Sequence, residues 1–319
     1  MAKIMLPKFS SRAFLAPMAG VSDPALRLLC KEMGAGLVVT ELTSIHAIIA
    51  KEKQLQAQNQ DISEFIEYSN KERPLAVQLF GSDIESLQKA VKIVEPYFDV
   101  IDYNMGCPAP HITKQMAGGA LLQNLSLTQK ILETLVKSTD KPVTLKMRAG
   151  VDDNLVFKDI AHVAERAGVQ MITLHARTVQ QGYAGESDWS LIKALKQTVD
   201  IPIVGNGDIT TPELAKKMID ETGCDYIMIG RGAMGNPFLF EQVNEYLATG
   251  TYKKYSQKDK TEMFCKYLDY AAQYKIKFAN IRQQAMRFTK GLREGAKFRS
   301  GIMLAKTTDE LKSIMLQIS

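Results

Sequence analysis

Eight short runs of apolar and β-branched residues recur along the first 231 positions: FLAPMA (14–19), LVVTEL (37–42), LAVQLF (75–80), VIDYNM (100–105), VTLKMR (143–148), MITLHA (171–176), IPIVGN (201–206) and YIMIGR (226–231). Between most of them lie stretches with helical apolar spacing, among them DIESLQKAVKIV, LTQKILETLVKS, VFKDIAHVAERAG, WSLIKALKQTV and TPELAKKMIDETG. Near-continuous apolar strands that alternate with helices require a parallel sheet covered on both faces, since each strand must be reached through a crossover. Eight βα units in about 240 residues fit a TIM (β/α)8 barrel. An open doubly wound sheet is the other way to arrange the same units.

After Phe238 the strand signal stops, and QKDKTEMFCKYLDYAAQYK, ANIRQQAMRFTKGLR and TTDELKSIMLQ read as helices with charged faces. ATGTYKKYSQ (248–257) reads as a linker. The expected α/β architecture is therefore a barrel over 1–243 followed by a small all-helical domain over 244–319.

The 319 residues, 45% hydrophobic and 24% charged, suit an ordinary globular core. No apolar run approaches the roughly 18 residues of a membrane span. The N-terminal MAKIMLPKFSSR lacks the apolar core of a signal peptide, which gives a cytoplasmic expectation. Cys30, Cys107, Cys224 and Cys265 have neither disulfide-framework nor zinc spacing, and His46, His111, His162 and His175 form no ligand pair. No structural metal is expected, and a monomer is the default.

Charge is uneven. Residues 243–319 hold 15 Lys/Arg against 7 Asp/Glu, whereas residues 1–242 hold 25 against 28. A basic tail on a slightly acidic body points to an acidic partner, nucleic acid first, or else to a solvated helical surface.

Active sites of TIM barrels lie at the C-terminal strand ends. Nearly every strand here contributes a polar group there: Gln78, Asn104, Lys146 with Arg148, His175 with Arg177, Asn206-Gly207-Asp208 and Gly230-Arg231. Such residues are costly to bury unless they serve a common site. The glycines of GNGD and GRGAMG allow backbone N–H groups to approach a phosphate after strands seven and eight, and Arg231 adds charge. GRGAMG also matches G-x-G-x-x-G, but only helix follows it, so dinucleotide binding at this motif is rejected. The phosphate belongs to a substrate or to a cofactor. Lys146 fits a Schiff base or a countercharge for a reduced flavin. Cys107, between Gly106 and Pro108 at a strand tip, is placed for chemistry rather than packing, and beside Gln78 and Asn104 it fits proton donation better than aldol chemistry.

LAPMAGVSDPALRLLCKEMGA, YNMGCPAPHITKQMAGGALL, LHARTVQQGYAGESDW, VGNGDI and YIMIGRGAMGNPFLF together resemble the tRNA-dihydrouridine synthases, from about Leu15 to Phe240. The GCP motif and the HARTxxQxYxG loop carry the specificity of that resemblance. It implies an FMN enzyme that reduces particular uridines of tRNA to 5,6-dihydrouridine, with NADPH or NADH reducing the flavin. Hydride would pass from flavin N5 to uridine C6, and Cys107 would give the proton to C5. A thiol of ordinary acidity is mostly protonated at neutral pH, as a donor requires.

By the same resemblance Pro17, Met18, Ala19, Gln78 and Lys146 would surround the isoalloxazine. His175, Asn206, Gly207, Asp208, Gly230 and Arg231 would complete the cofactor site toward its phosphate. Asn104, Arg148 and Arg177 are expected at the uracil edge or nearby tRNA phosphates. Tyr183 and Trp189 invite a stacking role, although packing is favoured for Trp189. A stacked uridine must be flipped out at a cost of a few kcal/mol. Arg282, Arg287, Lys290, Arg293, Lys297 and Arg299 of the tail are expected to offset that cost through backbone contacts. Two other readings remain at this point: an FMN barrel acting on a free pyrimidine, and a non-catalytic tRNA-binding protein on the same fold. The modified position and the choice between NADPH and NADH are not legible.

Overall fold

Eight parallel strands close into a barrel in the order β1 to β8, with β8 returning to β1 through Ala13↔Ile227 and Leu15↔Ile229. The computed structural model describes residues 5–317 apart from 63–65, 67, 293 and 294. The strands are β1 (Ala13–Leu15), β2 (Leu37–Ser44), β3 (Leu75–Phe80), β4 (Val100–Met105), β5 (Val143–Arg148), β6 (Met171–His175), β7 (Ile203–Asn206) and β8 (Tyr226–Ile229). Three of them match the expected runs residue for residue. β1 is shorter than its run, so Pro17, Met18 and Ala19 lie in the loop beyond it.

The helices are α1 (Pro24–Glu32), α2 (Ile45–Gln56), α3 (Ile84–Val94), α4 (Pro110–Thr113), α5 (Leu125–Lys137), α6 (Phe157–Ala167), α7 (Trp189–Lys196), α8 (Pro212–Thr222) and α9 (Leu239–Thr249). The tail adds α10 (Gln257–Gln273), α11 (Phe278–Phe288), α12 (Gly295–Leu304) and α13 (Thr308–Leu316). Their limits follow local chemistry. Asp83 and Thr211 cap α3 and α8 through their side chains, and Pro212 occupies the first turn, where its missing N–H costs nothing. Gly168 and Gly223 end α6 and α8 in left-handed conformations. α12 has no counterpart in the sequence reading, because Gly295 and Gly301 blur its apolar periodicity.

The two-residue alternation of a strand decides what fills the barrel. Val77, Leu79, Ile101, Tyr103, Leu145, Met147, Ile172 and Leu174 pack outward in one buried cluster with the helices. Phe14, Ala76, Val100, Met171, Val204 and Met228 form the interior floor. The same inward parity carries Gln78, Asp102, Thr144 and Thr173, and then Asn104, Lys146, His175 and Asn206 toward the C-terminal strand ends. The tail is packed on the barrel rather than tethered to it. Phe264, Tyr267 and Phe288 share the outer cluster with Leu26 and Leu29 of α1.

Candidate functional site at the barrel mouth

The mouth contains two adjoining cavities of about 320 and 370 Å3 that share Pro17, Met18, Lys146, His175, Tyr183 and Arg231. The first runs under Asn206, Gly207, Asp208, Gly230 and Gly232, and the second reaches Gln78, Asn104, Gly106, Cys107 and Arg148. A separate cavity of about 380 Å3, between the β2–β3 side of the barrel and the α10–α11 turn, contains none of these mouth residues.

Strand register builds the floor. β4 sets Asp102 beside Gln78 of β3 and Thr144 of β5, and Asn104 beside Lys146. Gln78 donates through Nε2 to Asp102 Oδ2 at 2.7 Å, and Thr144 donates to Oδ1 at 2.6 Å. Asn104 donates to Gln78 Oε1 at 2.8 Å, and its Oδ1 accepts from the N–H groups of Gly106 and Cys107 at 3.1 and 3.0 Å. Burial pushes the Asp102 carboxyl up to about 6, against the pull of Thr144, Gln78 and Lys146. Lys146 donates to Asn206 Oδ1 at 3.1 Å, and burial followed by repulsion from Arg148 brings its ammonium down to about 8. His175 is held neutral by burial and by the cations Lys146, Arg148, Arg177 and Arg231. Arg177 Nη1 lies 3.4 Å from His175 Nε2. An arginine can only donate, so Nε2 is the acceptor and the ring proton sits on Nδ1.

Cys107 lines the second cavity and not the first, half-buried, on a loop held by three hydrogen-bonding partners. Asn104 holds its N–H, Gly119 N–H donates to its carbonyl at 3.0 Å, and Arg148 donates to the carbonyl of Gly106 at 3.0 Å. Gly118 lies directly behind it at φ +59°, where an added Cβ would come within 2.9 Å of the Cys107 carbonyl oxygen and 3.2 Å of its Cβ. Gly118→Ala is therefore expected to destabilise the fold by about 1–3 kcal/mol, read as a lower urea midpoint, and to change the alkylation rate of Cys107.

The first cavity has the features of an anion cradle. The N–H groups of residues 207–210 and 230–232 donate to no protein acceptor among the described residues. A Cβ at Gly230 would meet nothing closer than 3.6 Å, so the backbone is open to a ligand there. Gly207, at φ +138°, has its Cα against the Ser187 side chain, where no Cβ fits. Arg231 lies over the Tyr183 ring at 4.6 Å, and Lys290, in the turn after α11, reaches the same cavity from the tail. Asp208 is neutralised from both sides, by Arg177 at 2.7 Å and Arg231 at 2.8 Å. Partial burial pushes its carboxyl up, but the Arg177 bonds, the Ser187 N–H and the two guanidinium charges outweigh this and hold it low.

Several of the expected polar residues are engaged by the protein itself. Arg177 is 2% exposed, and Asp208 with the carbonyls of Ala184 and Gly185 uses its donors, so it is not accessible to tRNA phosphates. Arg148 is 3% exposed and donates to the carbonyls of Gly106, Thr178 and Gly182, joining the cysteine loop to the 178–185 loop. Asn104 has its oxygen engaged by the cysteine loop. Arg287 is half-buried, donates to the Gly20 carbonyl and packs its backbone on Gly235, so it joins the tail to two mouth loops rather than presenting a free charge. Trp189 packs, with its indole N–H donating to the Gly207 carbonyl at 3.1 Å. Lys297 is exposed, Arg282 lies over the Phe278 ring, and Arg293 lies outside the described residues. Asp102 escaped the sequence reading. Its signal was a carboxylate two residues before Asn104, on the same inward parity of β4.

The family description "Dihydrouridine synthase (Dus)" matches residues 14–318. tRNA-dihydrouridine synthase B of Pseudomonas aeruginosa is 40% identical over 242 residues, covering 75% of this chain and 71% of that protein. The probable tRNA-dihydrouridine synthase of Rickettsia conorii is 38% identical over 311 residues, 95% of this chain and 92% of that one. Among solved structures, histamine dehydrogenase from Rhizobium sp. 4-9 aligns over 76% of this chain and 48% of its own, with a TM-score of 0.56 and 14% identity. 6-hydroxypseudooxynicotine amine oxidase from Pseudomonas geniculata N1 aligns over 79% and 49%, with a TM-score of 0.58 and 14% identity. The chain spans about half the length of either structure, and these likenesses concern the barrel fold alone.

Proposed function

The chain belongs to the dihydrouridine synthase family, and on that premise we propose how its barrel mouth reduces uridines of tRNA to 5,6-dihydrouridine. The observation that carries this reading is the joining of an open anion cradle to a cavity lined by a fixed cysteine. The residues present fit FMN. The N–H groups of 207–210 and 230–232, with Arg231 and Lys290, suit its phosphate. Pro17, Met18 and Ala19 form one wall for the ring system, and the second N–H of Gln78 and the charge of Lys146 line its polar edge. Asn206, Gly207, Asp208, Gly230 and His175 would flank the chain between ring and phosphate, and the Nδ1–H of His175 has no acceptor among the described residues.

Bound FMN would supply the hydride for uridine C6 after reduction by NADPH or NADH. The chain's own contribution is to position the base and manage one proton. Cys107, in the cavity that adjoins the cradle, is the group that gives the proton to C5 in this reading. Asn104, Gly119 and Arg148 keep the thiol in place. Tyr183, 60% exposed at the rim between Arg148 and Arg231, offers a face for an incoming base. Residues 1–243 form the catalytic part in this reading, and 244–319 dock the tRNA.

The direct test is incubation of unmodified tRNA with the flavin-loaded protein and NADPH, followed by dihydrouridine analysis. Product supports the proposal. Turnover of free uracil or uridine with none on tRNA would replace it with a free-pyrimidine reductase.

Exposed tail cations contribute through phosphate neutralisation. Lys297→Ala is expected to weaken tRNA binding at every salt concentration and to reduce the slope of log K against log[salt] by about 1. Flavin content should stay constant, and an unchanged slope would take Lys297 out of the tRNA surface.

A further inference from the structure

We infer that Asp102, on the inner face of β4 and remote from any solvent, is a positioning residue that sets the polarity of a hydrogen-bond chain ending at the Cys107 loop. For its effect on turnover this inference rests on the proposed role of Cys107; for its effect on the loop it does not.

The chain has three links. Asp102 accepts from Gln78 Nε2, Gln78 Oε1 accepts from Asn104 Nδ2, and Asn104 Oδ1 accepts from the backbone N–H groups of Gly106 and Cys107. All three side chains are buried, Gln78 completely. An amide has two faces of nearly the same shape and opposite chemistry, so packing alone cannot tell its oxygen from its nitrogen. An ionised carboxylate can only accept. Asp102 therefore requires the Gln78 nitrogen to face it, which turns the Gln78 oxygen to Asn104, which turns the Asn104 oxygen to the loop. Thr144 saturates the other Asp102 oxygen and keeps the carboxylate from rotating the pattern away. The same polarity leaves one N–H on Gln78 and one on Asn104 for the cavity they line, so that wall presents donors.

Asp102→Asn keeps the shape and removes the rule. With Thr144 still donating to Oδ1, the new amide nitrogen faces Gln78 Nε2. Wild-type polarity then survives only if the buried Thr144 hydroxyl turns to accept from that nitrogen and gives up its own acceptor; otherwise Gln78 flips, Asn104 follows and the loop N–H groups meet a donor, so in either case the network loses hydrogen bonds. Adding Gln78→Glu repairs the sequence, because the carboxylate then at position 78 accepts both from the amide at position 102 and from Asn104 Nδ2. The Asn104 oxygen returns to the loop.

The readout is iodoacetamide modification of Cys107, followed by peptide mass analysis at pH 8, which needs neither flavin nor turnover. Asp102→Asn is expected to change the Cys107 rate by at least about threefold as the loop loses its anchor. The double variant should return it to the wild-type rate. Dihydrouridine formation by Asp102→Asn should fall by about 10²-fold with unchanged tRNA affinity. An unchanged Cys107 rate in Asp102→Asn, or a changed one that Gln78→Glu does not restore, overturns the proposal. If Asp102→Asn does not fold, Asn104→Leu cuts the last link while leaving the carboxylate paired, and an unaltered alkylation rate there overturns it equally. Alkylation that responds as expected in a protein forming no dihydrouridine would leave this inference standing and remove the proposed function.

Discussion

Cys107→Ala is expected to lower dihydrouridine formation by about 10²–10⁴-fold, the range for loss of a positioned general acid, while leaving the flavin bound. The flavin half of the prediction follows from geometry. The cradle at residues 207–210 and 230–232 lies in the first cavity, and Cys107 lines only the second. The catalytic half follows from how much of the surrounding chain is devoted to one thiol. Asn104, Gly119 and Arg148 converge on the loop, and Gly118 gives up a side chain to make room behind it. The measurement is single-turnover reduction of unmodified tRNA by the prereduced enzyme, so that flavin re-reduction does not mask the proton step. Cys107→Ser, a weaker acid of similar size, should fall between wild type and alanine. Equal rates for wild type and Cys107→Ala would leave the family intact and remove Cys107 from its role.

The second large effect is on stability. Arg27→Ala is expected to destabilise the fold by about 3–5 kcal/mol, because it leaves the Glu72 carboxylate buried without its cation. Arg27 Nε meets Glu72 Oε2 at 2.6 Å, and the two side chains are 3% and 0% exposed. Glu72 would retain the Ser69 N–H at 2.7 Å, which is insufficient for a buried charge. Arg27 also donates to the Ser22 carbonyl at 2.9 Å, and the Ser22 hydroxyl accepts from Met18 N–H at 2.9 Å. The loss should therefore reach the loop that carries Pro17, Met18 and Ala19 and weaken flavin retention. Urea unfolding measures the first effect, and flavin release on dilution the second. Replacing both partners, Arg27→Met with Glu72→Met, should recover much of the stability, since no lone charge remains. A double variant as unstable as the single would show that packing, not the stranded carboxylate, sets the cost.

The chain's periodicities carry the barrel. LAVQLF reads as a strand because apolar residues occupy both parities, VTLKMR because apolar and polar residues strictly alternate, and the amphipathic stretches between such runs fit only crossovers. Parity also carries much of the mouth. Gln78, Lys146, His175 and Asn206 all fall on the inward parity, and the glycines after β7 and β8 announce a close backbone approach. No helix among the described residues is long and apolar enough to cross a membrane, as the absence of long apolar runs implies.

Other features lie beyond what a linear string can state. Arg148, Arg177 and Arg287 look like free cations in sequence, because a guanidinium at a strand end or helix face reads the same whether water or carbonyl oxygens surround it. Only the folded chain brings Thr178 and Gly182 to Arg148, Asp208 to Arg177 and Gly20 to Arg287. Asp102 is the converse case: one carboxylate among apolar neighbours reveals its use only when register sets Gln78 and Thr144 beside it. The sequence by itself determined the strands, the crossovers and the inward parity, because these follow from local periodicity and the need to bury apolar surface. The tertiary structure alone decided which polar groups meet, because partners such as Gln78 and Asp102 lie 24 residues apart, Lys146 and Asn206 60 apart, and Arg287 and Gly20 267 apart, and their directions exist only once the barrel has closed.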